Sequence, residues 1–435
     1  MLLSFFWRII GMALLFPLAT STLQAQSQPV ISPENVAETL GYLSSDEMAG
    51  RATFSTQLDK AASYIAERFK KAGLKTMPDE NGYLQSFAML RSKPAMINEV
   101  KVGEEKLTAD QVICQTGSST LKVNETTGYQ IIRVKEGENA MVAYRSIRGK
   151  KGNLVVLMHA SLEPFFKRLK ANNQPRNDDG STVIYLLTNQ TEAENFNFDL
   201  AIDVEKLPLH NVVGMIPGKT KPNEIVIFSG HYDHIGIGKP NEAGDSIYNG
   251  ANDDASGTTA VILLAEYFIR KNDNDRTLVF AAFTAEEVGG FGSQYFSKQM
   301  DPAAVMAMFN IEMIGTDSKW GANSAYITGY EKTDMGTILE KNLEGSPFKF
   351  YPDPYPQQQL FYRSDNATLA RLGVPAHTIS TSKMDSEPHY HKASDEIGTL
   401  DTKNMAAIIE SIAVSSKSII AGKDTPTRVD TSQLR

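Results

Sequence analysis

The chain has 435 residues, of which 41% are hydrophobic and 22% are charged, and its formal net charge is −8. This length allows one large domain with an insertion or two domains, and the composition is that of a packed globular protein rather than a disordered chain. The negative charge disfavours a nucleic-acid-binding protein and a protein that binds anionic membranes, because both need concentrated basic surface. We therefore expect no nucleic-acid partner.

The first 25 residues differ in composition from the rest of the chain. Arg8 precedes an apolar run over residues 9–19, and small or polar residues lead to Ala25. This pattern predicts a signal peptide over residues 1–25, and hence a secreted or periplasmic protein with no stable membrane insertion after cleavage. The alternative is an uncleaved membrane anchor, although a spanning helix needs about 20 apolar residues. The single cysteine, Cys114, excludes an internal disulfide, which is compatible with bacterial export.

An amphipathic helix is predicted next, over residues 58–74. Ala61, Ile65 and Phe69 recur at every fourth position, and Gly73 is a typical helix stop. The chain therefore turns one apolar face toward a core before the central part begins.

The sequence pattern changes over residues 94–205. Short β-rich runs at 128–134, 153–160 and 182–188 alternate with polar turns. We interpret this part as an inserted β-rich domain.

Apolar strands and amphipathic helices alternate after the insertion. The predicted strands are 224–230, 277–283 and 307–314, and the predicted helices are 256–272, 292–300 and 402–420. This alternation predicts an α/β fold of three layers, with a mostly parallel central sheet covered by helices on both faces. The predicted organisation is a signal peptide over 1–25, one catalytic domain from 26–93 and 206–422, the insertion over 94–205, and a flexible tail over 423–435.

Imidazole and carboxylate side chains stand where several of these segments end. In open α/β sheets, binding sites form beyond the carboxyl ends of the strands. The candidate metal ligands at this edge are His231, Asp253, Glu287, Glu312 and His391. Unpaired charges would be costly to bury there, and a cation that binds both imidazole and carboxylate removes the cost, which makes zinc the leading candidate. Five protein ligands exceed the three that a catalytic zinc takes, so two zinc ions per chain that share a carboxylate are expected.

Two adjacent glutamates follow the strand at 277–283. In the stretch LVFAAFTAEEVGGFGS, Glu286 and Glu287 come directly after the apolar run. If Glu287 binds metal, Glu286 can face the same cavity around the turn and act as a general base. This division of labour accounts for two like charges at the end of a buried strand.

The order of these motifs resembles that of the co-catalytic di-zinc exopeptidases. The motifs are HYD at 231–233, NDDASG at 252–257, EE at 286–287, NIEMIG at 310–315 and YHKASD at 390–395. The family includes bacterial secreted aminopeptidases and glutamate carboxypeptidase-like enzymes. The resemblance covers most of residues 31–92 and 206–422, and includes the N-terminal segment SSDEMAGRATFS.

The resemblance implies a role for each matching residue. His231, Asp253, Glu287, Glu312 and His391 match the metal ligands, with Asp253 as the bridging one. Glu312 is a departure, because the family usually has aspartate there. The longer side chain can bind metal, but it changes the geometry of the site.

Further residues match the catalytic and substrate-binding positions of that family. Glu286 matches the general base, and Asp233 matches the carboxylate that orients the first histidine ligand. Tyr390 matches a tyrosine that donates a hydrogen bond to the substrate carbonyl, the alternative being simple packing. Arg363 resembles a substrate-contacting arginine, the alternative being a structural ion pair. The insertion resembles the protease-associated β domain found in relatives.

The function implied by the resemblance is that of a secreted zinc aminopeptidase, which hydrolyses peptides through a di-zinc-bound water with Glu286 as the base. Three alternatives stay open: a glutaminyl cyclase of the same fold, a carboxypeptidase, and a non-catalytic binding module. A carboxypeptidase for acidic C-termini would need a cluster of arginines, of which the sequence nominates only Arg363. The oligomeric state is left open by the sequence.

Overall fold

The computed structural model describes residues 29–148, 150 and 152–434. The signal peptide predicted at residues 1–25 lies outside the described residues. Within them, every helix is too short or too polar to cross a membrane.

The helices lie mostly before and after the insertion. In chain order the α-helices of the described residues are α1 Pro33–Leu43, α2 Thr56–Ala72, α3 Ala140–Arg148, α4 Glu163–Asn172, α5 Ser256–Lys271, α6 Phe291–Gln299, α7 Met335–Asn342, α8 Asn366–Ala370, α9 Thr402–Ser415 and α10 Lys417–Ile420. Helix α2 shows how local sequence sets the ends: Ser55 accepts a hydrogen bond from the Leu58 N–H, and Gly73 adopts left-handed backbone at the C-terminus.

The strands form two larger sheets and one short hairpin. They are β1 Leu84–Val102, β2 Glu105–Lys106, β3 Val112–Gln115, β4 Thr120–Asn124, β5 Gln130–Val134, β6 Leu154–His159, β7 Arg176–Asn177, β8 Val183–Thr188, β9 Phe196–Ile216, β10 Lys221–His231, β11 Gly236–Ile237, β12 Ile247–Tyr248, β13 Arg276–Phe283, β14 Val305–Ile311, β15 Ser324–Ile327, β16 Lys349–Pro352 and β17 Ala376–Ser380. The main sheet has the order β16-β15-β17-β14-β10-β13-β9-β1-β2.

The centre of the main sheet is parallel. Strand β10 pairs in parallel with β13 and β14, and β14 pairs in parallel with β17. Antiparallel strands flank this centre: β9 beside β13, and β15 beside β17. The predicted α/β class with a mostly parallel central sheet is confirmed.

Both faces of the central strands are buried, as their continuous apolar sequence predicts. Phe228 and Phe280 face the core formed with α1, α2, α5 and α9. Ile227 and Val279 point the other way, into a second core completed by residues of α6 and α8 such as Phe296. Alternate residues therefore serve opposite helix layers, which gives three layers.

The insertion carries its own four-stranded sheet, of order β3-β8-β6-β5. The runs predicted at 128–134, 153–160 and 182–188 correspond to β5, β6 and β8. Helices α3 and α4 cover one face, and the other face packs on β1, β4 and β9. Strands β1 and β9 pair over most of their length and run through the predicted boundaries at 94 and 205. A protease-associated fold for this part stays a prediction.

The end of the chain, predicted as a flexible tail over 423–435, lies against the body in the structure. Val429 is buried, and its N–H donates to the Gly373 carbonyl at 3.1 Å. Arg276 donates to the Asp424 carbonyl at 2.8 Å. These partners are more than fifty residues away in sequence, so no local sequence pattern predicts the contacts.

Candidate metal centre

The predicted ligands converge at the carboxyl edge of the parallel strands. His231 is the last residue of β10, and Glu312 follows β14 directly. Glu287 follows β13, Asp253 lies in the loop before α5, and His391 lies beyond β17. Because parallel strands end at the same edge, the fold itself brings distant parts of the chain together.

A first donor group forms around His231. Its Nε2 lies 3.3 Å from Asp253 Oδ1, and a Glu312 carboxylate oxygen completes a set of donors that lie within 4.8 Å of one another. The Nδ1 of His231 lies 3.2 Å from the Asp233 carbonyl, which leaves Nε2 to face the cavity. One imidazole and two carboxylates are a typical donor set for a divalent cation.

A second donor group forms on the other oxygen of Asp253. Nε2 of His391 lies 3.2 Å from Asp253 Oδ2 and 3.2 Å from Glu287 Oε2. Asp253 thus offers one oxygen to each group, in the position of a bridging carboxylate. The two groups together contain all five predicted ligands.

A sixth donor, His234, lies in the second group although the sequence did not suggest it as a ligand. Its Nδ1 lies 2.7 Å from Glu287 Oε1 and 4.0 Å from Asp253 Oδ2. Its side chain is fully buried. A histidine three residues after His231 has no sequence signal of its own, because its direction depends on how the loop packs.

Several buried polar atoms of these groups have no hydrogen-bond partner among the described residues. They are His231 Nε2, His234 Nδ1, His234 Nε2, Glu287 Oε1 and Glu312 Oε2. Such atoms are costly to bury unless a partner compensates them. Donors of the right chemistry that converge from two sides of one carboxylate fit bound metal cations.

The shifted pKa values of the buried carboxyl groups also fit bound cations. Burial, helped by nearby carboxylates, raises the pKa of Glu312 to about 7 and raises the pKa of Glu286 well above its ordinary value. Burial also acts on Asp253, but hydrogen bonding to His231 and His391 outweighs it and lowers that pKa. The pocket therefore concentrates negative charge that bound cations would offset.

Two further acidic side chains hold the backbone of the loops that carry the donors. Asp395 accepts hydrogen bonds from the N–H groups of Asn252 at 2.8 Å and Asp253 at 3.0 Å. Asp254 accepts from the His231 N–H at 3.1 Å and the Met313 N–H at 3.1 Å. These bonds tie the loops that carry the donors to one another.

Asp233 acts on different partners from those expected. Its carboxylate lies 3.8 Å from His231 Nδ1, outside hydrogen-bond distance, and its backbone carbonyl holds that ring instead. The carboxylate accepts from the Glu286 N–H at 3.0 Å and the Glu287 N–H at 3.3 Å. Asp233 therefore fixes the turn that presents the two glutamates, and touches His231 through its backbone.

The turn after β13 gives Glu286 and Glu287 separate positions. Ala285 has a φ of 57°, a left-handed conformation that is uncommon for a residue with a Cβ. Glu287 enters the second donor group, whereas Glu286 lines a cavity of about 590 Å³. Asp365 lines the same cavity, and burial raises its pKa to about 6.

Tyr390 and Arg363 border the cavities beside the donors. The ring of Tyr390 stacks on His391, with centroids 3.9 Å apart, and lines a smaller cavity with Glu312. Arg363 lines both cavities. It makes one long hydrogen bond, to Gln358 at 3.4 Å, and pairs with no carboxylate among the described residues, so the structural ion pair considered for it is not observed.

Arg51 is a supporting residue that the sequence did not single out. It is fully buried and donates to four backbone carbonyls: Tyr232 at 2.8 Å, Leu43, Asn249 at 2.7 Å and Gly250 at 3.0 Å. It thus joins the N-terminal segment to the loops on either side of the first donor group. Its partners lie up to 199 positions away, so sequence spacing could not reveal them.

Comparisons with known proteins agree with this architecture. Probable leucine aminopeptidase of Trichophyton verrucosum is 30% identical over 204 residues, which are 45% of this chain and 53% of the relative. Leucine aminopeptidase 1 of Ajellomyces dermatitidis is 30% identical over 210 residues, 45% of this chain and 52% of the relative. The chain spans about half the length of the curated relatives it matches.

Solved structures share the fold at low identity. An aminopeptidase from Aneurinibacillus sp. strain AM-1 is 22% identical with a TM-score of 0.53, covering 90% of this chain and 94% of that one. A zinc aminopeptidase from Bacillus subtilis is 16% identical with a TM-score of 0.54, covering 90% and 96%. The family model of peptidase family M28 matches residues 211–415. The strands and loops that carry the donor groups therefore form a peptidase family M28 domain.

Proposed function

We propose that this protein is an exported zinc-dependent aminopeptidase, which removes N-terminal residues from peptides. The observation that carries the proposal is the pair of donor groups that share Asp253, with the Glu286 carboxylate on an adjoining cavity. The leucine aminopeptidases and zinc aminopeptidases to which the chain is similar support the same conclusion.

Two zinc ions per chain account for the number of donors. His231 and Glu312 would hold one ion, Glu287 and His391 would hold the other, and Asp253 would bridge them. The mixture of imidazole and carboxylate suits zinc better than calcium or magnesium, which prefer oxygen ligands. Zinc bound there supplies Lewis acidity, which polarises the scissile carbonyl and activates water for attack.

Glu286 is the proton carrier of the proposed reaction. One proton of the attacking water passes to a Glu286 carboxylate oxygen while the water oxygen bonds to the scissile carbon. The same proton then goes to the leaving nitrogen as the C–N bond breaks. Burial raises the pKa of the Glu286 carboxyl well above its ordinary value.

The cavities supply the positions for substrate. Tyr390 borders the smaller cavity next to Glu312, where its hydroxyl can donate to the developing negative charge on the carbonyl oxygen. Arg363 lines both the smaller and the larger cavity. Glu286 and Asp365, which line the larger cavity outside the donor groups, favour a free α-amine over an acetylated one.

The proposal of export depends on the sequence of residues 1–25, which lie outside the described part of the chain. The pattern of residues 1–25 supports a signal peptide and hence a secreted or periplasmic location. The insertion, with boundaries near 94 and 205, is proposed to be a protease-associated-like domain beside the catalytic one.

A carboxypeptidase is the second candidate, on one specific observation. The larger cavity beside Glu286 is lined by three cationic side chains, Lys298, Arg363 and Arg371. Such a group can bind the terminal carboxylate of a peptide. All three are exposed, and none reaches into the donor groups, so the aminopeptidase remains the better-supported function.

The test is amino-acid release from dipeptides and tripeptides with free or acetylated N-termini by the zinc-loaded protein. Glu286→Gln is the site variant, and the exposed Glu344→Gln is the matched control. Cleavage of free but not acetylated peptides, reduced about 10²–10⁴-fold in Glu286→Gln only, supports the aminopeptidase. Cleavage that tolerates acetylation but needs a free C-terminus identifies a carboxypeptidase. Cyclisation of N-terminal glutamine identifies a cyclase, and no reaction in any arm leaves a binding role.

A further inference from the structure

His234 lies where a hydrogen-bonding role cannot explain it. The side chain is fully buried, yet neither ring nitrogen has a hydrogen-bond partner among the described residues. The residue is anchored through its backbone, whose N–H donates to the Arg51 carbonyl at 3.2 Å. A buried imidazole whose two nitrogens have no hydrogen-bond partner is costly, so its retention in the interior needs another reason.

The contact with Glu287 has the distance of a strong interaction but not the direction of a hydrogen bond. Nδ1 of His234 and Oε1 of Glu287 are 2.7 Å apart, and both atoms still count among the unpartnered buried atoms. When Nδ1 carries no proton, two lone pairs face each other across this gap. A cation that both atoms coordinate removes that repulsion.

The separations also fit a shared ion. Zinc binds imidazole nitrogen and carboxylate oxygen at about 2.0–2.2 Å, so two donors of one ion lie no more than about 4.4 Å apart. Nδ1 of His234 is 2.7 Å from Glu287 Oε1 and 4.0 Å from Asp253 Oδ2. His391, at 3.2 Å from both carboxylates, approaches the same place from the solvent side.

The packing of the ring keeps Nδ1 aimed at this place. A Cβ on Gly250 would lie 2.5 Å from two carbons of the His234 ring, so only glycine leaves room for the imidazole there. Gly250 has a φ of 57° and accepts a hydrogen bond from Arg51. The loop is thus shaped around the His234 side chain.

From this geometry we propose that His234 is a sixth metal ligand, which binds the second zinc through Nδ1 together with Asp253, Glu287 and His391. The proposal rests on the proposed function, because it needs zinc at this place. It makes the two metal positions unequal. The second position has four protein donors, whereas the first has three and keeps an open position for water or substrate.

X-ray absorption at the zinc edge tests the assignment directly, because it counts imidazole ligands without any activity. The wild-type protein is expected to hold two zinc ions with three imidazoles between them. His234→Ala should hold its ions with two imidazoles and should bind one ion at least about 10-fold more weakly in a chelator competition. His389→Ala is the matched control: its imidazole lies on the His391 loop and binds Ser394 at 3.0 Å, and both readouts should match wild type.

Each alternative outcome overturns the assignment in a recognisable way. Two imidazoles per two zinc ions in the wild type, or a zinc-loaded crystal structure with Nδ1 more than about 3 Å from the ion, would exclude His234 as a ligand while leaving the proposed function intact. A wild-type protein that takes up no zinc would overturn both. If His234→Ala does not fold, the wild-type imidazole count and the Nδ1–zinc distance decide the question alone.

Discussion

Replacing Arg51 with methionine tests whether the buried guanidinium organises the metal centre. The methionine side chain is similar in length but has no hydrogen-bond donor. The substitution therefore removes the donor shared by the carbonyls of Leu43, Tyr232, Asn249 and Gly250. We expect both lower stability and weaker zinc binding, because Asn249 and Gly250 lie just before the loop of Asp253.

The size of the stability loss follows from two opposing contributions. Hydrogen bonds from a charged group contribute about 1.5–3 kcal/mol each, so four of them stabilise the fold by at least about 6 kcal/mol. Burial lowers the pKa of Arg51 to about 10 from its ordinary 12.5, which corresponds to about 3 kcal/mol against the charged form. The contribution of the hydrogen bonds exceeds the cost of burying the charge, so Arg51→Met should lower the free energy of unfolding by about 3 kcal/mol or more.

The assay is urea unfolding followed by circular dichroism, paired with zinc titration against a chelator under conditions where the variants are folded. Arg276→Met is the matched control, since Arg276 is also buried and donates to the carbonyls of Ile419 and Asp424, far from the donors. It should lose stability and keep zinc affinity. A stability loss below about 1 kcal/mol in Arg51→Met, or equal losses of zinc affinity in both variants, would refute the reasoning.

Three further outcomes are expected. Glu312→Asp should bind zinc at least about 10-fold more weakly in a chelator competition, because the shorter side chain withdraws its oxygen from His231 and Asp253; unchanged or tighter binding would contradict the fit of glutamate at this position. Burial lowers the pKa of His377 to about 4, so its neutral form stabilises the fold above pH 6.5, and this stabilisation is lost as the pH falls toward 4. In metal-free protein, the free energy of unfolding should therefore fall between pH 7 and pH 4 by about 3 kcal/mol more in wild type than in His377→Gln, and equal falls would count against this. Arg363→Met should raise KM for peptides and leave stability within about 0.5 kcal/mol, since Arg363 is exposed, makes one long hydrogen bond and forms no ion pair with the described residues; a change in stability alone would assign it a structural role.

The central strands could be predicted because strands buried on both faces consist of consecutive apolar residues. Strand β13 is apolar throughout Leu278–Phe283, and its observed range begins only two residues earlier. The positions of Glu286 and Glu287 follow from that strand end, and the general rule for α/β sheets brings them to His231. The convergence of the ligands at the strand ends, His231, Glu287 and Glu312, can therefore be predicted without knowledge of how the longer loops fold.

The loop residues could not be predicted because their partners are distant in the chain. Arg51 bonds to carbonyls, which every residue type possesses, and His234 is aimed by the backbone of Gly250. The Asp233 carboxylate, predicted to orient the His231 ring, accepts from two N–H groups in the turn at Ala285, and the Asp233 backbone carbonyl contacts the ring. Such preferences depend on packing angles that no spacing encodes.

The paired strands β1 and β9 make the insertion separable from the body. The two apolar clusters of the insertion lie wholly within residues 97–204. Among the described residues, the main core draws on Met89, Leu207 and Leu209 but on no residue from 90 to 206. Leu90 lies opposite Lys206 in the ladder, so a short turn joining these two residues would retain the pairing from Leu84 to Leu90 and leave β9 beside β13. A shortened chain without residues 91–205 should therefore fold, and comparing it with the full-length protein would separate what the insertion contributes to substrate choice from what the metal centre does by itself.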